Sequence, residues 1–305
     1  MSLANPSRLR WRDALSTKVR EEVSAAVLSN YTLAVLLCEL AWHGEYAGKP
    51  LELPAKPVDR TMFLAARRTL VQRAILLEDP ALPKTLLRVP GHKDTSPAEL
   101  LCQADPFGHI AYLSAMAHHG LTNRIPRVLY FRTLDPKNWS AAARTRMEKD
   151  LGEHLNEYLA HDLPSLQHTR IDRYAGIVVQ TQRSKTAGTG WRHMGDRGLR
   201  VSTLGRTFLD MLQQPDFCGG IRHVIELFEE HARTYLGVIL PEITQHGSKI
   251  DQARAGYILE ERCSITDPAI DAWAAGTMRG GSRRLDPQAE YSPIYSERWC
   301  LSLNV

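Results

Sequence analysis

The stretch VDRTMFLAARRTLVQRAILLEDPALPKTLLRV, residues 58–89, decides the fold of the first third of the chain. Its first half, 58–73, has the three- and four-residue apolar spacing of an amphipathic helix. The face that this helix would turn toward a core consists of Phe63, Ala66, Leu70 and Ala74. Two apolar runs follow, 74–77 and 85–89, and the residues between them include Asp79, Pro80 and Pro83. Short apolar runs on either side of a turn predict a β-hairpin.

Two further helices are expected on the N-terminal side of this stretch, over 17–28 and 31–43. The second has leucines at helical spacing and ends before Gly44, where a Gly- and Pro-rich segment begins. A short strand is expected at 51–53. The order of helices, short strand, helix and hairpin is that of a winged helix-turn-helix. The sequence therefore predicts an α+β protein that begins with a winged-helix domain over 15–93.

The outward face of the helix at 58–73 predicts a DNA-reading surface. It carries Thr61, Ala65, Arg68 and Gln72. In a major groove an arginine can pair bidentately with guanine and a glutamine with adenine, and small neighbours permit close approach. The phosphate-binding candidates on the flanks of the helix and on the hairpin are Arg60, Arg67, Arg73, Lys84 and Arg88. The alternative is an amphipathic surface helix with solvated arginines, and the position of the helix directly before a hairpin disfavours it.

The net charge of the chain is concentrated at its N-terminal end. The whole chain carries a formal charge of +4, but residues 1–93 hold 14 Lys and Arg against 9 Asp and Glu. The remainder holds 24 basic against 25 acidic residues. A basic excess is weak support for nucleic-acid binding by itself, and it gains weight because the predicted reading helix lies in the same segment.

The rest of the chain predicts a linker over 94–108 and a larger mixed α/β domain over 109–305. Helices are expected at 110–119, 141–160, 204–213, 221–235 and 249–260, and strands at 128–132, 177–180 and 199–202. The chain ends on a strand-like run, RWCLSLNV. Arg206 and Asp210 lie one turn apart in the predicted helix at 204–213, so we expect them to pair.

A second basic stretch lies inside this larger domain. It contains Arg183, Lys185, Arg192, Arg197 and Arg200, with Trp191 and His193 among them. These residues could form a second surface for DNA, RNA or an acidic protein, or they could lie on a solvated loop.

The sequence predicts neither an enzyme nor a metal or cofactor site. His118 and His119 are adjacent and would point about 100° apart on a helix, so they cannot share a metal. Neither a phosphate-binding glycine loop nor a nucleophile elbow is present. Cys38, Cys102, Cys218, Cys263 and Cys300 are scattered and predict reduced thiols. Without a signal-peptide core or a membrane span, we expect a cytoplasmic protein with no membrane contact.

Three segments of the larger domain resemble a known family. They are HIAYLSAMAHHGLTNRIP at 109–126, VSTLGRTFLDMLQQPDFCGGIRHVIELFEEHA at 201–232 and SERWCLSLNV at 296–305. With the predicted winged helix, they resemble the AbiEi family of antitoxins and transcriptional regulators from bacterial abortive-infection toxin–antitoxin loci. The resemblance spans roughly residues 30–305, is most specific over 201–220, and matches little of 135–195.

The resemblance implies a function for both domains. The winged helix would repress the promoter of its own locus by binding repeats in double-stranded DNA. The larger domain would neutralise a toxin that resembles nucleotidyltransferases. In the type IV scheme of this family the two proteins need not form a stable complex, so direct toxin binding stays open.

Other functions remain as alternatives. The chain could be a protein-interaction module in which DNA binding is secondary, or a stand-alone transcriptional regulator without a toxin partner. An enzyme that acts on nucleic acid through the stretch at 183–200 lacks a recognisable acid–base arrangement.

Overall fold

A computed structural model describes residues 8–92, 94–277 and 283–305. It is a mixed α+β structure with several sheets, which confirms the predicted fold class. The helices are α1 Trp11–Glu22, α2 Asn30–His43, α3 Arg60–Gln72, α4 Pro97–Ala104, α5 Tyr112–His118, α6 Pro136–Leu151, α7 Leu155–Ala160, α8 Leu204–Gln213, α9 Ile221–His246, α10 Lys249–Tyr257 and α11 Pro268–Ala275. The strands are β1 Leu9–Arg10, β2 Val27–Ser29, β3 Glu45–Tyr46, β4 Lys49–Glu52, β5 Leu86–Arg88, β6 His109–Ile110, β7 Val128–Leu134, β8 Arg173–Tyr174, β9 Ile177–Ser184, β10 Trp191–Met194, β11 Leu199–Ser202, β12 Tyr295–Ser296 and β13 Leu301–Ser302.

The first helix begins earlier than predicted and also ends earlier. We expected a helix over 17–28, but α1 stops at Glu22 and Val27–Ser29 forms β2. The second half of that prediction is wrong because β2 pairs antiparallel with β5, far along the chain. This pairing buries Val27 and Leu28, so a long-range contact overrides the local preference.

The two helices that follow have their ends fixed by side-chain and glycine caps. The Oγ of Ser29 accepts a hydrogen bond from the backbone N–H of Thr32 at the start of α2, and Gly44 ends this helix with a φ of 66°. At the start of α3, the Asp59 carboxylate accepts from the N–H of Met62 at 2.8 Å. Asp59 is thus the N-cap of α3.

The predicted hairpin after α3 is reduced to a single bridge. Leu77 and Arg88 exchange two backbone hydrogen bonds of 2.9 and 2.8 Å, and β5 continues the sheet by pairing with β2. Pro80 and Pro83 lie in the loop between them and have no N–H to extend the ladder. The strand predicted at 51–53 is β4, which pairs with β3 and, in parallel, with β1.

The larger part of the chain is built on a six-stranded sheet in the order β10-β11-β6-β7-β9-β8. Successive residues of β7 belong to different cores. Phe131 packs in the core that includes α4, and Tyr130 packs against the core formed by α5 and α8–α11. The sheet is therefore covered by helices on both faces. Helix α8 and strand β11 have the predicted bounds.

Segment 94–108, which we expected to be a linker, contains α4. A reciprocal capping box between Ser96 and Glu99 starts this helix. Leu100 and Cys102 are fully buried where α4 packs against β2 and β11. The segment therefore joins the small N-terminal sheet to the large one.

The helix predicted at 141–160 is two helices, α6 and α7, with Gly152 near the break. Both pack on the N-terminal core, to which they contribute Met147, Leu151 and Tyr158. The Tyr31 hydroxyl donates to Asp150 across this contact at 3.0 Å. The N-terminal core is thus completed by residues from the larger part of the chain.

The longest helix of the described ranges is α9, which has 26 residues. Neither α9 nor any other helix in those ranges is both long and apolar enough to cross a membrane.

Candidate nucleic-acid interface

The division of α3 into two faces is confirmed for the residues inside the helix. Phe63, Ala66 and Leu70 are buried in the N-terminal core. Ala74 was assigned to the same face, but it lies beyond the helix, is exposed and has a φ of 52°. That assignment is wrong because the chain turns away to form the bridge at Leu77.

The opposite face of α3 is open to solvent. Thr61, Arg68 and Gln72 are exposed and Ala65 is half-buried, as a reading face requires. Within the described ranges, neither Arg68 nor Gln72 has a side-chain partner. Leu64 shares this side of the helix and is 48% exposed. The free guanidinium and amide groups lie one turn apart on a helix that is rigidly packed beneath them.

The three arginines on the flanks of α3 are in ion pairs. Arg60 contacts Asp162 at 2.5 Å, and Arg67 contacts Glu78 at 2.8 Å. Arg73 contacts Asp13 at 2.6 Å and also donates to the hydroxyl of Ser16 at 3.1 Å. These cations are therefore partly neutralised in the free protein.

The two basic residues predicted for the wing differ in their surroundings. Lys84 is exposed, and its ammonium group has no partner in the part of the chain that is described. Arg88 is turned toward the larger part of the chain, where it donates to the hydroxyl of Tyr174 and lies 3.7 Å from Asp79. Lys84 is free to meet a phosphate, whereas Arg88 ties β5 to β8.

The second basic stretch does not form one surface. Arg183, Lys185, Arg192 and Arg197 are exposed. Arg183 lies on β9 and Arg192 lies on β10, and three strands of the sheet lie between these two. Four inter-strand spacings of ~4.8 Å place β9 and β10 about 19 Å apart.

Arg200 is misassigned to that surface, since it is only 7% exposed. Its guanidinium donates to the backbone carbonyls of Gly108 and Asp105 at 2.7 and 2.6 Å and also to that of Cys102. Arg200 therefore satisfies carbonyl groups at the end of α4 and in the turn after it.

Sequence reasoning missed most of a buried polar cluster beneath the sheet. The predicted pair of Arg206 and Asp210 is present at 2.8 Å, and Arg132 joins it at 2.7 Å from the same carboxylate oxygen. His109, opposite Arg132 in the sheet, is fully buried. Neither of its ring nitrogens has a hydrogen-bond partner among the described residues. Only the four-residue spacing of Arg206 and Asp210 could have signalled this cluster.

Burial, and after it repulsion by the nearby arginines Arg132, Arg206 and Arg200, lower the pKa of His109 to about 3. Between pH 6.5 and about 3 the unfolded chain binds a proton that the folded chain does not. The free energy of unfolding should therefore fall as the pH falls through this window, by ~1.4 kcal/mol per pH unit from this residue.

Replacing His109 with phenylalanine should remove that pH dependence. The variant keeps a ring against Trp191 and has no unpaired ring nitrogen. We expect its loss of stability between pH 7 and pH 5 in urea unfolding to be smaller than that of the wild type by about 2 kcal/mol. His118→Phe is the control, because His118 is exposed. Equal losses in His109→Phe and the wild type would contradict this assignment.

Neither a metal-binding cluster nor an activated thiol at Cys38 or Cys102 is present in the described ranges. No cluster of three His, Cys, Asp or Glu residues there could hold a metal ion. Burial raises the pKa of Cys38 to about 12 and that of Cys102 to about 11, so these thiols are not activated. The Nε2–H of His119 donates to the backbone carbonyl of Ser202 at 2.8 Å.

Comparisons with known proteins found little. No family model and no curated protein matches this chain. Among solved structures, the chain is similar to the RV2827C protein from Mycobacterium tuberculosis, with 14% sequence identity and a TM-score of 0.48. The alignment covers 98% of this chain and 94% of that one. A likeness at this level carries no argument about function.

Proposed function

We propose that this chain is a DNA-binding antitoxin and transcriptional autorepressor of the AbiEi kind, with no enzymatic activity of its own. Its N-terminal winged helix, over 15–93, would read the promoter of its own locus through α3. The observation that carries the proposal is the pair of exposed, unpartnered side chains Arg68 and Gln72 on a packed helix. These are the residue types that pair bidentately with guanine and adenine.

The topology of the N-terminal elements supports a winged helix. Strand β2 lies between α1 and α2, β5 pairs with β2, and Leu77 bridges to β5. A winged helix has one strand before its last two helices and two extended segments after the last helix. Here β2 is the strand before α2 and α3, and Leu77 and β5 are the two segments after α3. The hairpin of β3 and β4 is an addition between α2 and α3.

The ion pairs around α3 do not oppose DNA binding. The pairs of Arg60 with Asp162 and Arg73 with Asp13 are between exposed side chains. Exposed pairs of this kind are worth about 0–1 kcal/mol, so a phosphate can replace the carboxylate at little cost. Arg60, Arg67, Arg73 and Lys84 can then bind the backbone on both sides of the reading face.

Neutralisation of a nucleotidyltransferase-like toxin rests on the family resemblance. The test is to express the neighbouring reading frame alone and with this chain, beside a reporter under the locus promoter. The proposal expects growth arrest by the neighbour, rescue by this chain and repression of the reporter. A harmless neighbour together with an unrepressed reporter would contradict it.

One feature favours protein contact as a second function. Ile125 is 90% exposed between Arg124 and Arg127. Thr122 contacts His223 at 3.1 Å, and Arg124 donates to the carbonyl of Gly219 at 3.2 Å. In this alternative, Ile125 would be covered by a protein partner, beside residues that these two contacts hold in place.

The interaction-module alternative predicts that Ile125→Asp abolishes toxin protection and leaves promoter binding unchanged. Leu159→Asp is the matched control, since Leu159 is 49% exposed on α7. Deleting residues 1–95 is a poorer test, because it would uncover Met147, Leu151 and Tyr158 of the shared core. Full protection by Ile125→Asp would count against this alternative.

A further inference from the structure

We propose that residues 8–13 form an arm that binds the sugar–phosphate backbone of DNA beside the C-terminal end of α3. This inference rests on the proposed function of α3. It assigns a second DNA-contact surface, in a part of the chain where the sequence indicated none. The arm leads from β1 into the first turn of α1 and carries Arg8, Arg10 and Arg12, all of which are exposed.

The arm lines a groove of about 610 Å³ at the end of α3. Arg10 and Arg12 lie on one side of this groove, Arg73 lies at the end of α3, and Glu52 belongs to β4. Three arginines thus line the groove together with two acidic residues, Glu52 and Asp13. The groove has an excess of positive charge and is open to solvent.

Two sets of contacts fix the arm next to the reading face. Leu9 and Arg10 pair in parallel with Leu51 and Glu52 of β4. Arg73, which follows Gln72 directly, contacts Asp13 at 2.6 Å. The last residue of the arm, Asp13, therefore contacts the residue that follows Gln72 of the reading face.

The charges on the arm are available to an anion. Asp13 is already paired with Arg73, whereas Arg10 and Arg12 have no acidic partner in the described ranges. The guanidinium of Arg12 lies 4.5 Å from the centre of the Trp11 ring. Stacking on a tryptophan holds an arginine in place and leaves its N–H groups free to donate.

The length of α3 indicates what this surface would meet. A helix of 13 residues is about 20 Å long, whereas the major groove of B-DNA is about 12 Å wide. When α3 crosses the groove, its ends reach the backbone on either side. Arg10 and Arg12 would then each neutralise a phosphate on the side of Gln72.

The test measures the salt dependence of binding by the full-length protein. The probes are a 30-base-pair duplex from its own promoter and a scrambled duplex of the same composition. Each neutralised phosphate contributes about 0.9 to the slope of log K against log salt. The Arg10→Ala, Arg12→Ala double variant should lower that slope by about 2 and weaken both duplexes roughly tenfold to thirtyfold at physiological salt.

Two controls separate a DNA contact from other effects. Lys137→Ala, Arg144→Ala removes two exposed charges from α6 and should leave the slope unchanged. Arg10→Lys, Arg12→Lys keeps both charges and should keep the slope, and an unchanged urea-unfolding midpoint shows that the alanine variant is folded. An equal fall in slope for the α6 variant would overturn the proposal, because net charge alone would then explain it.

The remaining outcomes distinguish the arm from the proposed function. One outcome is that the arm variant keeps the slope while Arg68→Ala, Gln72→Ala weakens promoter binding. This outcome overturns the proposal that the arm binds DNA and leaves the proposed function of α3 in place. If neither double variant changes binding, both proposals fail. If only the arm variant does, the arm binds DNA without α3, and its assigned place beside a reading helix is overturned.

Discussion

Replacing Asp210 with alanine is expected to lower the free energy of unfolding by about 3–5 kcal/mol. The side chain of Asp210 is only 1% exposed, and its Oδ1 accepts from Arg132 at 2.7 Å and from Arg206 at 2.8 Å. Both guanidinium groups are themselves buried. The substitution therefore leaves two positive charges in the core with no carboxylate between them, which costs far more than the lost hydrogen bonds.

Urea unfolding of the full-length protein at pH 7 measures this loss. The matched control is Asp162→Ala, which also breaks an ion pair with an arginine but at a site where the Asp162 side chain is 76% exposed. That control should lose no more than about 1 kcal/mol. Similar losses in the two variants would show that burial does not determine how much the ion pairs of Asp210 contribute to the free energy of unfolding.

Replacing both Arg68 and Gln72 with alanine is expected to weaken binding to the chain's own promoter about a hundredfold. Each good bidentate base contact is worth about 1–3 kcal/mol, and 1.4 kcal/mol is tenfold in Kd. Because both side chains are exposed and without partners in the described ranges, the fold should be unaffected. Binding to a scrambled duplex should change much less, since Gln72 cannot neutralise a phosphate.

Lys84→Ala is the control for a backbone contact. It should weaken the promoter and the scrambled duplex equally and lower the salt slope by about 1. Unchanged promoter affinity at fixed salt in the Arg68→Ala, Gln72→Ala variant would reject α3 as the reading helix.

The sequence predicted the parts of the fold that local patterns determine. The bounds of α8 and the buried face of α3 follow from apolar spacing within one helix. The pair of Arg206 and Asp210 follows from a four-residue separation. The α+β class was also predicted correctly, because the presence of both helices and strands can be recognised from these local signals.

The elements that sequence reasoning missed depend on partners far away in the chain. Strand β2 exists because it pairs with β5, some sixty residues later. Arg200 is buried because it finds carbonyl groups at Gly108 and Asp105. Neither of these partners is visible in the local sequence of the residue concerned.

The sequence predicted which side chains of α3 point outward, but it did not predict the ion pairs that the flanking arginines make. Arg60 is paired with Asp162, 102 positions away, and Arg73 with Asp13, 60 positions away. Spacing along α3 identifies which side chains point outward, yet it cannot show which of them already hold a carboxylate. The arm at 8–13 was missed because distant contacts bring it to the end of α3, namely the pairing of β1 with β4 and the ion pair of Arg73 with Asp13.

The segment at 135–195, little of which matches the family resemblance, contacts the N-terminal part of the chain. Trp42 of α2 stacks on His154 with ring centroids 4.1 Å apart, and Tyr158 is buried in the N-terminal core. Asp162 of the same segment contacts Arg60 at the start of α3.

The most direct test of the central claim is guanine footprinting of the purified full-length protein on its own promoter, with Kd measured against a scrambled duplex at the same salt. The account predicts protected guanines at repeated sites and binding at least about 10³-fold tighter than to the scrambled duplex. Equal affinity for the two duplexes, with no guanine protected, would contradict it.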